Sequence, residues 1–195
     1  MDLQPEVSLR RFRELGVQDI DEMLNPYRQL GVFHDLEMGL VGREEFVARL
    51  NEHAGTDLTD EQINEAIMLF LKGVPQYKFD YLELLRKKYK IYILSNTNPY
   101  IMAYAHSPHF LPATGRTLSD YVDKVYASCE MQTMKPDRAI YEQMITDSGM
   151  VPERTLFIDD STANLEAAAA LGLQTLLAVN GTDWRPALAA RLQHE

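Results

Sequence analysis

Cysteine is nearly absent from this chain: Cys129 is its only one. That excludes any internal disulfide, and it leaves a lone thiol that reads either as a packed side chain or as a nucleophile. No histidine stands near it in sequence to favour the nucleophile. Long apolar runs are missing too. No stretch approaches the roughly 20 residues needed to span a bilayer, and the opening Met-Asp-Leu-Gln-Pro-Glu has neither a basic start nor an apolar signal core. A cytoplasmic location is the expectation. Basic residues are in deficit, 19 Lys and Arg against 29 Asp and Glu, for a formal net charge of -10. That balance argues against nucleic acid or an anionic membrane as the main partner. It leaves a phosphorylated metabolite open, because the charge at one site can oppose the global sign. His34, His53, His106 and His109 lack metal-ligand spacing, although His34 could face a site. At 195 residues the chain fits one compact domain with room for a smaller inserted one.

What is present falls into two textures. From about Glu6 to Tyr89 the pattern is helical: Leu9, Phe12 and Leu15 recur at helix spacing and Gly16 supplies a stop. Gly42-Arg-Glu-Glu opens a second helix that carries Phe46 and Leu50, and Gln62 to Leu71 and Asp80 to Tyr89 read as two more. The spacing predicts four to six helices and no strand before Lys90. The run Arg86-Lys-Lys-Tyr-Lys90 reads as a solvated helix end, favourable to the helix dipole. Beyond it the chain alternates. Strands are predicted at Ile91 to Leu94, Lys124 to Ala127, Thr155 to Ile158 and Gln174 to Val179. Helices are predicted after Pro99, over Arg138 to Ser148, Ala163 to Leu171 and Asp183 to Leu192. Tyr100 to Asp120, with Pro108 and Pro112, reads as a long irregular connection at the rim of a site. Strand and helix in regular turn imply an α/β fold with a doubly wound parallel sheet.

Three places carry chemistry. Thr155-Leu-Phe-Ile-Asp-Asp-Ser-Thr-Ala-Asn164 sets Asp159 and Asp160 at the carboxyl end of a strand, with a helix opening at Ser161; ligands of open α/β sheets bind at such edges. Two carboxylates crowded there are costly unless a hard cation such as Mg²⁺ neutralises them. The alternative is an N-capping Asp beside an ordinary surface acid. Ser95 and Asn96 follow a strand where a hydroxyl and backbone amides can cradle an anion, or simply form a turn. In Met134-Lys-Pro-Asp137, Pro136 suits the first turn of a helix. Lys135 beside a helix start opposes the dipole there, an arrangement that an anionic ligand would relieve and a solvated surface lysine would tolerate.

In that order, strand-Ser-Asn, Lys-Pro and strand-Asp-Asp, the chain resembles the haloacid dehalogenase-like (HAD) superfamily of hydrolases, in its phosphatase-like branch with a helical cap. Ile91-Tyr-Ile-Leu-Ser95 looks like the second motif, Lys135-Pro136 the third, Phe157-Ile-Asp159-Asp160 the fourth, and Phe33-His-Asp-Leu-Glu-Met-Gly39 the Glu-x-Gly turn of the cap. The resemblance implies a HAD-like, Rossmannoid core over 1–16 and 78–195 and a helical cap over 17–77. By it Ser95 and Asn96 would bind the transferring phosphoryl group, and Lys135 would neutralise nucleophile and phosphate. Asp160 would be the main ligand to Mg²⁺, Asp159 would support the metal directly or through water, and Asn164 would hydrogen-bond that outer shell. The implied chemistry is two-step phosphoryl transfer through an aspartyl-phosphate on a small phosphorylated metabolite, such as a sugar phosphate or nucleotide.

The family's first motif, a strand ending in Asp-x-Asp or Asp-x-Gly that supplies the nucleophile, has no match. Asp2 and Asp80 are poor substitutes. In the family that strand is central, between the strands that here end at Leu94 and Ile158. Losing ~5–6 residues of central strand exposes unpaired backbone and removes several apolar side chains worth about 1.5–3 kcal/mol each. The expectation is a chain of poor stability without phosphatase activity. Two explanations stand: a nucleophile encoded upstream of Met1, or a non-catalytic relative that binds or regulates. Ser95, Lys135, Asp159 and Asp160 together lean toward the first. A response-regulator-like receiver fits less well, since receivers carry their acidic pair at the first strand and have no long helical insert.

Overall fold

Helix-spaced apolar residues do organise the first half of the chain. A computed structural model describes residues 2–25, 28–73, 75–179 and 181–192; Met1, at the head of the hexapeptide read above, lies outside them. Strand β1 (Asp2–Leu3) leads into helices α1 (Pro5–Glu14) and α2 (Ile20–Met23), strands β2 (Leu24–Asn25) and β3 (Arg28–Gln29), and helices α3 (Gly31–Glu37), α4 (Arg43–Ala54) and α5 (Asp60–Met68). Strand β4 (Leu71–Gly73) and helix α6 (Gln76–Arg86) follow. The alternating half runs β5 (Tyr92–Ser95), α7 (Pro99–Ala105), β6 (Lys124–Ala127), α8 (Ser128–Met131), α9 (Arg138–Ser148), β7 (Leu156–Asp159), α10 (Thr162–Ala169), β8 (Gln174–Leu177) and α11 (Arg185–Leu192). The chain divides into two compact units, one ending at Gln132 and the other beginning at Thr133.

In the first unit, α1 turns Leu9 and Phe12 inward, and the buried Ser8 hydroxyl donates to the Ala66 carbonyl at 2.7 Å. Phe12, Phe33, Phe46 and Tyr100 meet edge to face in sequence, at centroid separations of 5.6, 5.0 and 6.1 Å. That geometry suits aromatic quadrupoles. Tyr100, on α7, therefore belongs to the same core as α1, α3 and α4. A second core gathers Phe79, Phe110, Leu111, Leu118 and Tyr121, with Ile91, Ile93 and Val125 against it. The β5–β6 ladder is parallel, from Tyr92↔Lys124 to Ser95↔Ala127.

The second unit has its own parallel ladder, β7–β8, from Leu156↔Gln174 to Asp159↔Leu177. Helix α9 buries Ile140, Tyr141 and Met144, and Tyr141 packs edge-on to Phe157 at 5.6 Å. The α/β class and the parallel pairing are as the sequence predicts. Both parallel ladders are two-stranded among the described residues.

Several expectations change. Strands do occur before Lys90: β1 pairs antiparallel with β4 and β2 with β3. They are two or three residues long, too short to leave a period-2 trace. The helix expected over Gln62 to Leu71 starts earlier and stops earlier. Thr59 and Gln62 form a reciprocal capping box, Gln62 N–H to Thr59 Oγ1 at 3.3 Å and Thr59 N–H to Gln62 Oε1 at 2.9 Å, and Leu71 belongs to β4. Pro136 is not in a helical first turn: α9 begins at Arg138 with Asp137 as its cap, and the Lys135–Pro136 peptide is cis. Beyond α7 the connection up to Asp120 is irregular, as read, with one short 3₁₀ turn, and it buries Phe110, Leu111 and Leu118 as core.

Candidate active site

Each parallel ladder delivers one group of candidate residues at its carboxyl end, as expected for this architecture. In the second unit β7 ends on Asp159, and the chain turns into α10 through Asp160 and the N-cap Ser161. Asp159 is committed on both oxygens. Its Oδ2 accepts from Lys135 Nζ at 2.6 Å, and its Oδ1 accepts from the Ser161 backbone N–H and from Asn164 Nδ2, both at 2.9 Å. The two side chains of the ion pair are only 10% and 7% exposed. Such a pair is sustained only when further hydrogen bonds satisfy its remaining atoms, and Asn164 and Ser161 do that. Asn164 is itself held in place, because its carbonyl accepts the Tyr141 hydroxyl at 3.0 Å.

Asp160 differs. It is exposed and holds no hydrogen bond or ion pair among the described residues. The N-cap alternative does not apply to either acid, since Ser161 is the residue whose hydroxyl accepts from Asn164 N–H. The donor set fits Mg²⁺: a hard cation that keeps several waters and takes one or two protein carboxylates. Asp160 supplies the uncommitted carboxylate, with Asp159 fixed beside it in the chain. No cluster of three or more His, Cys, Asp or Glu with metal-binding geometry occurs among the described residues.

In the first unit β5 ends on Ser95. Ser95 and Asn96 are partly exposed, whereas Thr97 and Asn98 are buried. Asn98 caps α7, its Oδ1 accepting from the N–H groups of Tyr100 and Ile101 at 3.1 Å each. Thr97 is held by Ser128, which follows β6: Thr97 N–H donates to Ser128 Oγ at 2.9 Å and the hydroxyl donates to Thr97 O at 3.1 Å. Ser128 is not among the residues expected from the sequence, although it carries the same signal as Ser95, a hydroxyl at the end of a strand.

The Glu-x-Gly turn joins the same unit. Gly39 has φ +66°, and a Cβ on it would lie 2.0 Å from the Cys129 carbonyl oxygen. Backbone meets backbone there. Glu37, two residues earlier and half-buried, has its carboxyl pushed up to about 7 by desolvation. Burial likewise pushes the Cys129 thiol up to about 11, with the Glu130 charge adding to it. Cys129 is thus a half-buried thiol whose surroundings disfavour the thiolate. His34 sits with Nδ1 3.4 Å from Asp35 Oδ1 and is 41% exposed.

Comparison with known proteins bears on the family of the whole chain. Residues 7–172 match the model of the haloacid dehalogenase-like hydrolases. The chain is 39% identical over 192 residues to a D-ribitol-5-phosphate phosphatase of Bacteroides thetaiotaomicron, covering 98% of this chain and 93% of that one. A predicted HAD-like family hydrolase from Porphyromonas gingivalis is 48% identical and superposes with a TM-score of 0.94, over 100% of this chain and 93% of the other. A HAD family enzyme of B. thetaiotaomicron, crystallised as an aspartate-to-alanine mutant with magnesium and inorganic phosphate, is 35% identical with a TM-score of 0.90, over 96% of this chain and 92% of that one.

Proposed function

This chain belongs to the haloacid dehalogenase-like hydrolases, and we propose that it is the framework of a Mg²⁺-dependent phosphohydrolase for a small phosphorylated polyol or sugar. The observation that carries this reading is the division of labour between adjacent acids: Asp159 is fully hydrogen-bonded and paired with Lys135, and Asp160 is open. In that reading Ser95 and Asn96 bind the phosphoryl group. Lys135, steadied by Asp159, offsets negative charge on the reacting groups. Asp160 is the principal Mg²⁺ ligand, with Asp159 behind it and Asn164 fixing Asp159. Bound Mg²⁺ would supply electrostatic stabilisation of the charge that develops on the phosphoryl oxygens. Residues 17–77 form the cap, and the substrate is a polyol phosphate of the ribitol 5-phosphate type, by similarity to the ribitol phosphatase.

Hydrolysis through an aspartyl-phosphate needs a carboxylate at the end of a strand, and Asp159 is the only Asp that ends a described strand. Its commitment to Lys135 and Asn164 suits it to a supporting role and not to attack on phosphorus. The 195 residues are therefore proposed to bind Mg²⁺ and phosphate without turning over. The same observation favours a second reading, a HAD-fold protein that binds or regulates without catalysis. Phosphate release from ribitol 5-phosphate separates the two, measured with Mg²⁺ and with EDTA, for the 195-residue chain and for that chain with any in-frame codons preceding Met1. Metal-dependent release by the extended chain alone supports the hydrolase. Release by the 195 residues that EDTA leaves unchanged would sink the assignment.

A further inference from the structure

The last backbone rung of the β5–β6 ladder pairs Ser95 with Ala127. One residue on, both strands leave the sheet: β5 passes into the loop that bears Asn96, and β6 into α8. The amide and carbonyl of Thr97 then need partners, because Thr97 is buried and its strand neighbour has turned away. Both are satisfied by one side chain. Ser128 Oγ accepts the Thr97 N–H at 2.9 Å and donates its own proton to Thr97 O at 3.1 Å. Ser128 has no exposed surface, so water does not compete for either bond.

We propose that Ser128 is the positioning residue of the phosphate loop, its hydroxyl extending the β5–β6 ladder by one rung so that Ser95 and Asn96 are presented in a fixed conformation. This rests on the reading of Ser95 and Asn96 as phosphoryl ligands. Three features make the corner rigid. Asn98 caps α7 immediately after Thr97, so the loop is pinned on its far side. Tyr100 in that helix is anchored in the aromatic core, and its hydroxyl donates to Asp60 Oδ1 at 2.7 Å. The next residue after Ser128 presents its carbonyl to Gly39, which fixes the corner from the side of the Glu-x-Gly turn. Only Ser95 and Asn96 are left partly exposed between these supports. A hydroxyl is required at 128 because the position must give one hydrogen bond and take another; Ala can do neither and Cys does both weakly.

Two readouts on the full 195-residue chain test this. Amide hydrogen exchange reports the clamp, and titration with inorganic phosphate in the presence of Mg²⁺ reports the loop. In the native chain the Thr97 amide should exchange as slowly as the β5–β6 ladder amides. Ser128→Ala should speed Thr97 exchange selectively and weaken phosphate binding at least tenfold, with ladder amides still protected. Ser128→Cys, which is slightly larger and keeps a weak donor and acceptor, should fall between the two and serves if the Ala variant does not fold. A fast Thr97 amide in the native chain, or native phosphate affinity in Ser128→Ala, would overturn the proposal. So would loss of protection throughout the ladder, which would mark Ser128 as a general structural residue. If the native chain shows a slow Thr97 amide and binds no phosphate, the phosphoryl-ligand reading fails and the positioning role falls with it; the slow amide identifies which premise failed.

Discussion

At the scale of single residues, neighbours with the same chemistry are separated by their surroundings. Asp159 and Asp160 are adjacent acids, yet one is locked and the other open. Removing Lys135 leaves a carboxylate in place with little solvent, and breaking a buried pair in this way costs about 3–5 kcal/mol. Lys135→Met should therefore lower the midpoint of thermal unfolding by roughly 10 °C, taking about 2–4 °C per kcal/mol for a chain of this size. Asp160→Asn should leave the stability within about 0.5 kcal/mol of native, as surface substitutions do, and should remove Mg²⁺ binding as followed by calorimetry. A large loss of stability from Asp160→Asn would show that its carboxylate is structural. Glu37 offers a pH test. Desolvation raises its carboxyl from 4.5 to about 7, so between those values the folded chain holds a proton that the unfolded chain has released. The stability this provides is complete below pH 4.5 and is lost as pH rises through 7. Glu37→Gln should match the native chain near pH 4.5 and be the more stable of the two at pH 8. Equal melting of both proteins at both pH values would show that Glu37 is not desolvated.

At the scale of elements, what could be read from the sequence depended on length and on locality. Helix α9 is visible in full because eleven residues of apolar spacing end at Gly149, and β5 because Ile91 to Leu94 is a β-rich run. Asp159, Asp160 and Ser161 were legible because a strand end, a turn and a helix start are all local. The β1–β4 and β2–β3 ribbons were not, since pairings such as Leu3 with Leu71 are set by packing and not by composition. Pro136 misled for a related reason: its preference for a first helical turn is local, whereas Lys135 is held by Asp159, 24 residues later in the chain. The Glu-x-Gly turn is where local and distant requirements meet. Gly39→Ala meets a backbone conformation at φ +66° and a carbonyl oxygen 2.0 Å from the new Cβ. Gly115 has nearly the same φ, +67°, with nothing within 4 Å. Gly115→Ala should cost about 1–2 kcal/mol, the left-handed penalty alone. Gly39→Ala should cost clearly more, because backbone must move as well. Similar losses in urea unfolding for the two variants would mean that the Cys129 contact yields easily.

At the scale of the whole molecule, the two parallel ladders determine how the chain should respond to heat and to ligand. Isolated two-stranded sheets are marginal. Here each ladder has helices against it, α10 packing on β7 and β8 and the Phe79–Phe110–Tyr121 cluster taking in Ile93 of β5 and Val125 of β6. Helical cover of this kind buries side chains, and among the described residues it leaves the outer strand edges of both ladders unpaired. The 195-residue chain should therefore unfold over a broad range at modest temperature, as followed by circular dichroism; a sharp cooperative transition near 60 °C would show that the ladders need no further strand. A ligand that binds only the folded state adds RT ln(1 + [L]/Kd), about 2.7 kcal/mol at one hundred times Kd. Mg²⁺ at that level should raise the midpoint by roughly 5–10 °C for a chain of this length. Asp160→Asn should abolish the rise without lowering the metal-free midpoint. That combination places the metal at Asp160 without any appeal to turnover. An equal rise in native and Asp160→Asn chains would move the Mg²⁺ site elsewhere in the molecule.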